Sequence, residues 1–321
     1  MSAEDRIKAL AIETGFSLSG IARLGPDPHS DAIFSRWLRD GQHGDMRWLE
    51  RHRPLREDAG HVLPGARSAI CVGLNYYQGV EREQRDMDAR DGRGRFSIYV
   101  HGEDYHEVMQ RMLQDLNQRV RAEFPTAQTR AVCDIHPVSD RALAIGAGIA
   151  WLGKNTNVIS PQFGSWIFLG ALLTDLDLRA DEPLETLCAG CRKCIDACPT
   201  GALDTPFVLD ARKCISYLTI EKRGEIDPTL APLLGADVYG CDTCQSVCPF
   251  NRVATESVVF HREARSALID MPLNELSTIS DEEFREKTKG SAIRRAKPEG
   301  MRRNARLALL SRSNKTEPPV D

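Results

Sequence analysis

The 321-residue sequence has no long apolar run. Its longest, residues 166–173, is far short of the roughly 20 residues a membrane-spanning helix requires. It also lacks the apolar core of a signal peptide, because the opening MSAEDRIKAL carries charges there, so a cytoplasmic protein with no membrane association is expected. A strong excess of one charge is missing too: 42 Lys and Arg against 46 Asp and Glu give a net charge of -4. With 41% hydrophobic and 27% charged residues, global disorder is excluded. Nucleotide fingerprints are absent. Gly146-x-Gly148 is followed by Trp151 where a dinucleotide site requires a small residue, and no G-x4-G-K-[ST] occurs. Nor is there the C-x3-C-x2-C loop that radical chemistry on S-adenosylmethionine needs. What the chain does have is ten cysteines, which in a reducing compartment read as metal or redox groups rather than disulfides.

The length suggests two domains, or one large domain with an inserted module. Residues 2–14 place Ile7, Leu10 and Ala11 at helical spacing and end at Gly15. Residues 67–77 read as a buried strand after the Pro64-Gly65 turn. Residues 81–95 are almost wholly polar and suggest a solvated loop or lid. A long helix follows with Val108, Met109, Met112, Leu113, Leu116 and Val120 on one face, stopping at Phe124-Pro125. Strands are expected at 129–135, 158–160 and 166–175, and a short helix at 141–150, giving a mixed helix-and-sheet core.

The cysteine spacing is the strongest signal. Cys188, Cys191, Cys194 and Cys198-Pro199 reproduce C-x2-C-x2-C-x3-C-P, in which three thiolates hold one 4Fe-4S cluster and the fourth serves a second. The second half is incomplete: Cys241, Cys244 and Cys248-Pro249 follow Val238 where another cysteine would stand. Cys214 lies between the two runs and can supply the missing ligand. One cluster is then held by Cys188, Cys191, Cys194 and Cys248, and the other by Cys198, Cys214, Cys241 and Cys244. A pair of four-thiolate zinc sites is the alternative, disfavoured by the three-cysteine run with its crossover. Cys71, inside an apolar strand, reads as a buried small hydrophobe.

Two clusters deliver electrons one at a time, and the rest of the chain exceeds what an electron carrier needs, so something else is expected to be reduced. Asp134 follows a predicted strand and is a candidate general acid if burial raises its pKa, while Asp140 with Arg141 could cap a helix or form an ion pair. Asp134-x-His136-x-x-Ser139 approaches a cobalt-ligating D-x-H-x-x-G motif, but Ser139 replaces the glycine and His136 is not credited as a ligand. Residues 285–315 hold eleven Lys or Arg against only Glu286 and Glu299, which suggests a polyanion-binding face.

Taken together, His43-Gly44-Asp45-Met46, Leu63-Pro64-Gly65-Ala66-Arg67, Gly102-Glu103-Asp104-Tyr105-His106, Asp134-x-x-Pro137, Gly153-Lys154-Asn155-Thr156, Gly164-Ser165-Trp166, the run from Cys214 to Glu221 and Tyr239-Gly240-Cys241-Asp242 resemble the epoxyqueuosine reductases, cobalamin-dependent tRNA-modification enzymes, over nearly the whole chain. The resemblance implies an α+β chain. Residues 1–180 would form an α/β corrinoid-binding domain of the reductive-dehalogenase kind, 181–255 a ferredoxin-like two-cluster module, and 256–321 a short, basic, helical tail. It implies base-off cobalamin contacted around Arg56, Val100, Asp134, Val158, Leu169, Gly240, Cys241, Asp242 and Thr243, with Asp134 as proton donor. It further implies tRNA carrying epoxyqueuosine as substrate, Lys222 and Arg223 as tRNA contacts, an external low-potential donor of flavodoxin or ferredoxin type, and a monomer. Longer relatives continue into a HEAT-like repeat after the segment resembling 291–295, and here one repeat helix is expected. A corrinoid dehalogenase and a two-cluster electron-transfer subunit are the competing readings.

Overall fold

The computed structural model describes residues 1–57, 59–79, 91–134, 136–261 and 266–316. The strands are β1 (Leu18–Arg23), β2 (Ser68–Asn75), β3 (Arg95–Phe96), β4 (Thr129–Cys133), β5 (Trp151–Leu152), β6 (Val158–Ile159), β7 (Ile167–Thr174) and β8 (Asp237–Tyr239). Four of them form one sheet in the order β1-β2-β7-β4, antiparallel at every pairing. β2 and β7 read as unbroken apolar runs because both sheet faces are covered. On one face, the helices Ala3–Glu13 and Tyr105–Glu123 bring Ile7, Leu10, Met109, Leu113 and Leu116 against Ile70, Val72 and Leu172. On the other, Ala144, Ala147 and Ile149 pack on Ala69, Cys71, Ala171 and Leu173, so Cys71 is the buried small hydrophobe expected.

Local chemistry sets the boundaries. Ser2 caps the first helix by accepting from the Asp5 N–H while the Asp5 carboxylate accepts from the Ser2 N–H. Asp104 caps the long helix at its N-terminus, and the helix ends before Pro125, as expected. Two boundaries differ. The helix expected at 141–150 is Asp140–Gly146, because Gly148 takes φ 64° and its Cα approaches the Glu182 carbonyl so closely that a Cβ would lie 2.3 Å from the oxygen. The strand expected to reach 135 ends at Cys133, and the chain turns at Asp134. Of the polar stretch 81–95, residues 81–90 lie outside the described residues, and its end forms β3.

β3 pairs in parallel with β8, joining the N-terminal half to the cysteine module. The C-terminal tail completes this joint. Short helices at Leu273–Leu276 and Asp281–Lys287, a 3-10 turn at Ala292–Ala296 and a long helix at Lys297–Thr316 share one apolar core with Phe96, Val100, Ile220, Val238 and Tyr239. Within that core Asn304 is fully buried and donates to the carbonyls of Thr219 and Val238, each at 2.8 Å. Replacing it by alanine leaves two buried carbonyls without donors. Asn304→Ala is therefore expected to lower stability by about 2 kcal/mol, read as a lower urea midpoint at unchanged slope.

Candidate active site

The eight expected cysteines come together in two sets. Cys194 lies within electrostatic reach of Cys188 and Cys191, and Cys248 of all three. In the same way Cys214 faces Cys198, Cys241 faces Cys214, and Cys244 faces both Cys241 and Cys214. Cys244 also reaches Cys194, so the sets adjoin. Burial is the first cause raising the thiols of Cys194, Cys214, Cys241, Cys244 and Cys248, and pushes Cys241 up to about 12. Such sulfurs ionise only when a positive centre holds them.

Segments far apart in sequence hold these loops. The Lys154 ammonium donates to the carbonyls of Ala189 (2.5 Å) and Cys191 (2.9 Å) in the first loop. Asn157 Nδ2 lies 3.9 Å from Cys244 Sγ, and Asn155 Nδ2 donates to the Cys244 carbonyl at 3.4 Å. Asp242, only 2% exposed, accepts from the Ser97 hydroxyl (2.5 Å) and the Ile98 N–H (2.9 Å). Gly240 beside it takes φ 71°, and a Cβ there would stand 2.5 Å from Ser97 Cβ. Thr156, a β-branched residue at φ 65°, is held in that strained conformation by Arg141, which donates to its carbonyl at 2.8 Å.

Two cavities meet over the second cysteine set. One, of about 300 Å³, is lined by Cys198, Cys214, Cys241 and Cys244 together with Thr156 and Thr243. The other, of about 740 Å³, is lined by Asp134, Tyr105, His106, Tyr239 and Arg295, and shares Tyr99, Leu209, Cys214 and Ser216 with the first. Its size suits a cofactor plus part of a substrate. Arg295 closes one side through a two-point pair with Glu221 at 2.8 and 3.0 Å.

Asp134 is therefore in the site, but not as expected. Its side chain is 45% exposed rather than buried, because β4 ends one residue earlier and the turn directs it to the cavity wall. Its carboxylate accepts from the Tyr105 hydroxyl and lies 3.4 Å from His106 Nε2. His106 Nδ1 in turn donates to Asp104 at 2.7 Å. Burial works against the imidazolium, but the hydrogen bonds to Asp104 and Asp134 outweigh it and raise the His106 pKa to about 9. Sequence reasoning marked Asp104-Tyr105-His106 as a motif without giving it a role. The available signal was a helix-capping Asp two residues before a His, at the start of a long amphipathic helix.

The other expected contacts are scattered. Cys241 and Thr243 line the smaller cavity. Val100, Val158 and Leu169 pack into apolar cores. Arg56 lines a separate cavity of about 280 Å³, its guanidinium 5.6 Å from the Phe34 ring centroid. Asp140 begins its helix but does not cap it, Ser139 holding that position, and Arg141 bonds Thr156 instead. Burial, then repulsion from Asp134, pushes the Asp140 pKa up to about 7, with Arg56 and Arg141 opposing. Lys222 pairs with Asp45 at 3.0 Å, and Arg223 donates to the carbonyls of Ile220, Arg295 and Ala296. Both line a groove of about 840 Å³ with Arg303 and Arg306.

Adjoining buried thiolate sets that open on a cavity with an acid–base wall define an iron–sulfur oxidoreductase. The family model for a 4Fe-4S double cluster binding domain matches residues 187–251, and that for epoxyqueuosine reductase QueG, DUF1730, matches residues 56–135. The chain is 42% identical over 310 residues to the epoxyqueuosine reductase of Gloeobacter violaceus, covering 95% of each. It is 39% identical over 304 residues to that of Pseudomonas aeruginosa, covering 94% of this chain and 84% of the relative. Among solved structures, the Bacillus subtilis epoxyqueuosine reductase with its catalytic loop swung out of the active site superposes with a TM-score of 0.84 at 29% identity, over 96% of this chain and 81% of that one. An epoxyqueuosine reductase holding an epoxyqueuosine-modified tRNA-Tyr stem loop gives 0.82 at 30% identity, over 96% and 80%. The chain belongs to the epoxyqueuosine reductase family.

Removing one thiolate tests the two-set arrangement. Cys214→Ser is expected to retain about four of about eight irons, with the first set intact, and a full iron count would place the missing ligand elsewhere.

Proposed function

We propose that this protein reduces epoxyqueuosine to queuosine at the wobble position of tRNA, using cobalamin and electrons relayed by two 4Fe-4S clusters. The reaction consumes two electrons and two protons, breaks both C–O bonds of the epoxide and releases water. The observation that carries this reading is that one cavity is lined both by Cys214, the proposed ligand of the second cluster, and by Asp134. A base-off corrinoid held in the joined cavities would supply a strongly reducing, nucleophilic metal centre to the epoxide. Cys241 and Thr243 would contact it from the module side, where the Ser97–Asp242 and Asn155–Cys244 hydrogen bonds fix the wall. Arg56, Val100, Val158, Leu169 and Gly240 are proposed as further contacts on family resemblance. Asp134 delivers the proton to the oxygen as the ring opens.

Electrons enter at the first set, where Ala189 and Gly190 of its loop are exposed, from an external low-potential carrier of flavodoxin or ferredoxin type. The three units proposed are residues 1–180 for the corrinoid and substrate, 181–255 for the clusters and 256–321 as the basic tail, acting as a cytoplasmic monomer. No helix among the described residues is long and apolar enough to cross a membrane. In the tail, Arg295, Arg302 and Arg303 are engaged with Glu221, Asp281 and backbone carbonyls. Exposed Lys289, Arg294, Lys297 and Arg306, with Lys222 and Arg223 at the groove, are the proposed phosphate contacts.

Protein reconstituted anaerobically with iron, sulfide and cobalamin is expected to hold about eight irons and one cobalt and to convert an epoxyqueuosine stem loop. Inactivity of that fully loaded protein overturns the reading. Asp134→Asn is expected to keep every cofactor while turnover drops by about 10² to 10⁴, measured by nucleoside analysis of the digested RNA. Arg294→Ala is expected to weaken stem-loop binding and flatten its log–log salt dependence by about 0.7 to 0.9, the slope that one neutralised phosphate supplies.

A further inference from the structure

We infer that His106 is the proton reservoir of the reaction, handing its Nε2 proton through Asp134 to the substrate oxygen. The inference rests on the reductase reading above and deepens it. Reducing an epoxide to an alkene takes up two protons, and a single carboxyl carries one at most. Asp134 must therefore be recharged between the two C–O cleavages, and a protonated group in contact with it can do so without waiting for a proton from solvent.

Two groups touch it, and a third lies one turn away. Tyr105 donates its hydroxyl to Asp134, but burial and the adjoining Asp134 charge hold its pKa well above the ordinary phenol value, so it remains a fixed donor. It also stacks on His106 at 4.0 Å and on Phe168 at 4.2 Å between ring centroids, which sets the imidazole's plane. His136 lines the same cavity, but its Nδ1 is engaged by the Cys133 N–H at 3.2 Å. His106 differs from both. Its Nδ1 faces Asp104 at 2.7 Å and its Nε2 faces Asp134 at 3.4 Å. A neutral imidazole has one N–H and can serve only one of these carboxylates, whereas the doubly protonated ring serves both. Asp104 is held in place as the helix cap by accepting from the His106 N–H at 3.0 Å, and although burial alone would raise its pKa, the hydrogen bonds from His106 bring it below the usual carboxylate value. The other charged or titratable groups lining this cavity are Arg51, His52, Tyr99, Cys214, Tyr217, Glu221, Tyr239 and Arg295, with Glu221 and Arg295 paired to each other, and Asp140 acts on Asp134 from outside the lining.

The sequence of transfers balances. Asp134 gives a proton to the oxygen as the first C–O bond opens, and His106 passes its Nε2 proton to the carboxylate. Asp134 then protonates the resulting hydroxyl as the second C–O bond breaks and water leaves. Both electrons come from the reduced low-potential carrier through the clusters. At the end of the cycle Asp134 is ionised and His106 neutral, and each regains one proton from solvent through the cavity, to which their side chains are 45% and 30% exposed.

The test compares fully loaded parent enzyme with His106→Gln, which keeps a hydrogen-bonding group but carries no transferable proton, and His106→Ala. kcat and KM on an epoxyqueuosine stem loop are followed from about pH 6 to pH 10, across the raised histidine pKa. The reservoir is charged below about 9 and discharged above it, so parent kcat is expected to hold through neutrality and fall above that pH. His106→Gln is expected to lose about 10²-fold in kcat with little change in KM and without that alkaline fall. Added imidazole is expected to restore part of the His106→Ala rate. Apart from turnover, the His106 ring resonance is expected to titrate near 9 and to move down in Asp134→Asn. A His106→Gln enzyme with parent kcat and the parent alkaline limb overturns the inference while the reductase reading stands. An inactive parent overturns both.

Discussion

Asp242 carries the joint on which the rest of the molecule depends. Its carboxylate is sealed from water and filled by the Ser97 hydroxyl and the Ile98 N–H, while the chain on either side of it runs into Cys241 and Cys244. A buried carboxylate is destabilising unless its oxygens are filled, so the two halves of the chain must meet at this point or not at all. Gly240 allows the approach, β3 and β8 extend it, and the tail helices close over it. Lys154 and Asn155 form a second joint on the other side of the cluster loops. Between these two joints the second cysteine set is held against the cavity with little freedom to drift, which is what electron delivery to a bound reactant requires.

The electrostatics of the cavity follow from the same reliance on fixed groups. Away from the cysteine side, acid–base groups gather at the start of the long helix, where Asp104, Tyr105 and His106 follow one another and meet Asp134 from the end of β4. Placing the chain of donors on a helix terminus fixes their spacing through backbone geometry rather than through loop packing. Asp134 itself sits on a turn, so the end of the relay nearest the substrate is the one not fixed by a helix or strand.

How much of this was legible in the sequence depended on whether the chemistry is local. The cysteine runs were readable because cluster ligation imposes short spacings, and Cys214, remote from both runs and expected from the gap at Val238, lies near Cys198 and Cys241. β2, β7 and the long helix were readable from apolar content and period. β1 and the helix Pro28–Arg39 were not proposed: the first contains Gly20, needed because a Cβ there would meet the Ala147 carbonyl at 2.2 Å, and the second has no fully buried residue. Asp134 was found as a position, but its exposure was missed because it depends on where β4 stops. The tail's charge was visible, while its internal use was not, since Arg295 and Arg303 find their acceptors only once the tail folds back on the module, and Arg302 finds its own in the preceding part of the tail. His106 has the same explanation: one of its carboxylates, Asp104, is its neighbour in sequence, while the other, Asp134, arrives from a distant strand end, and only the second defines a function.

The parallel pairing of β3 with β8 also fixes an order of events at the ribosome. Arg95 and its partner Asp237 are 142 residues apart, and Cys188, Cys191, Cys194, Cys198 and Cys214 are synthesised between them, with Cys241, Cys244 and Cys248 following. At about 5 to 20 residues per second, β3 waits roughly 7 to 28 s for its partner strand to be made. During that interval the four-stranded sheet can already close, since every strand it needs precedes residue 175, leaving the β3 edge exposed and the first cysteine run unsupported. The nascent chain thus passes through a stage with a finished platform and an unfinished metal module, and iron–sulfur assembly is timed to the last third of translation or later.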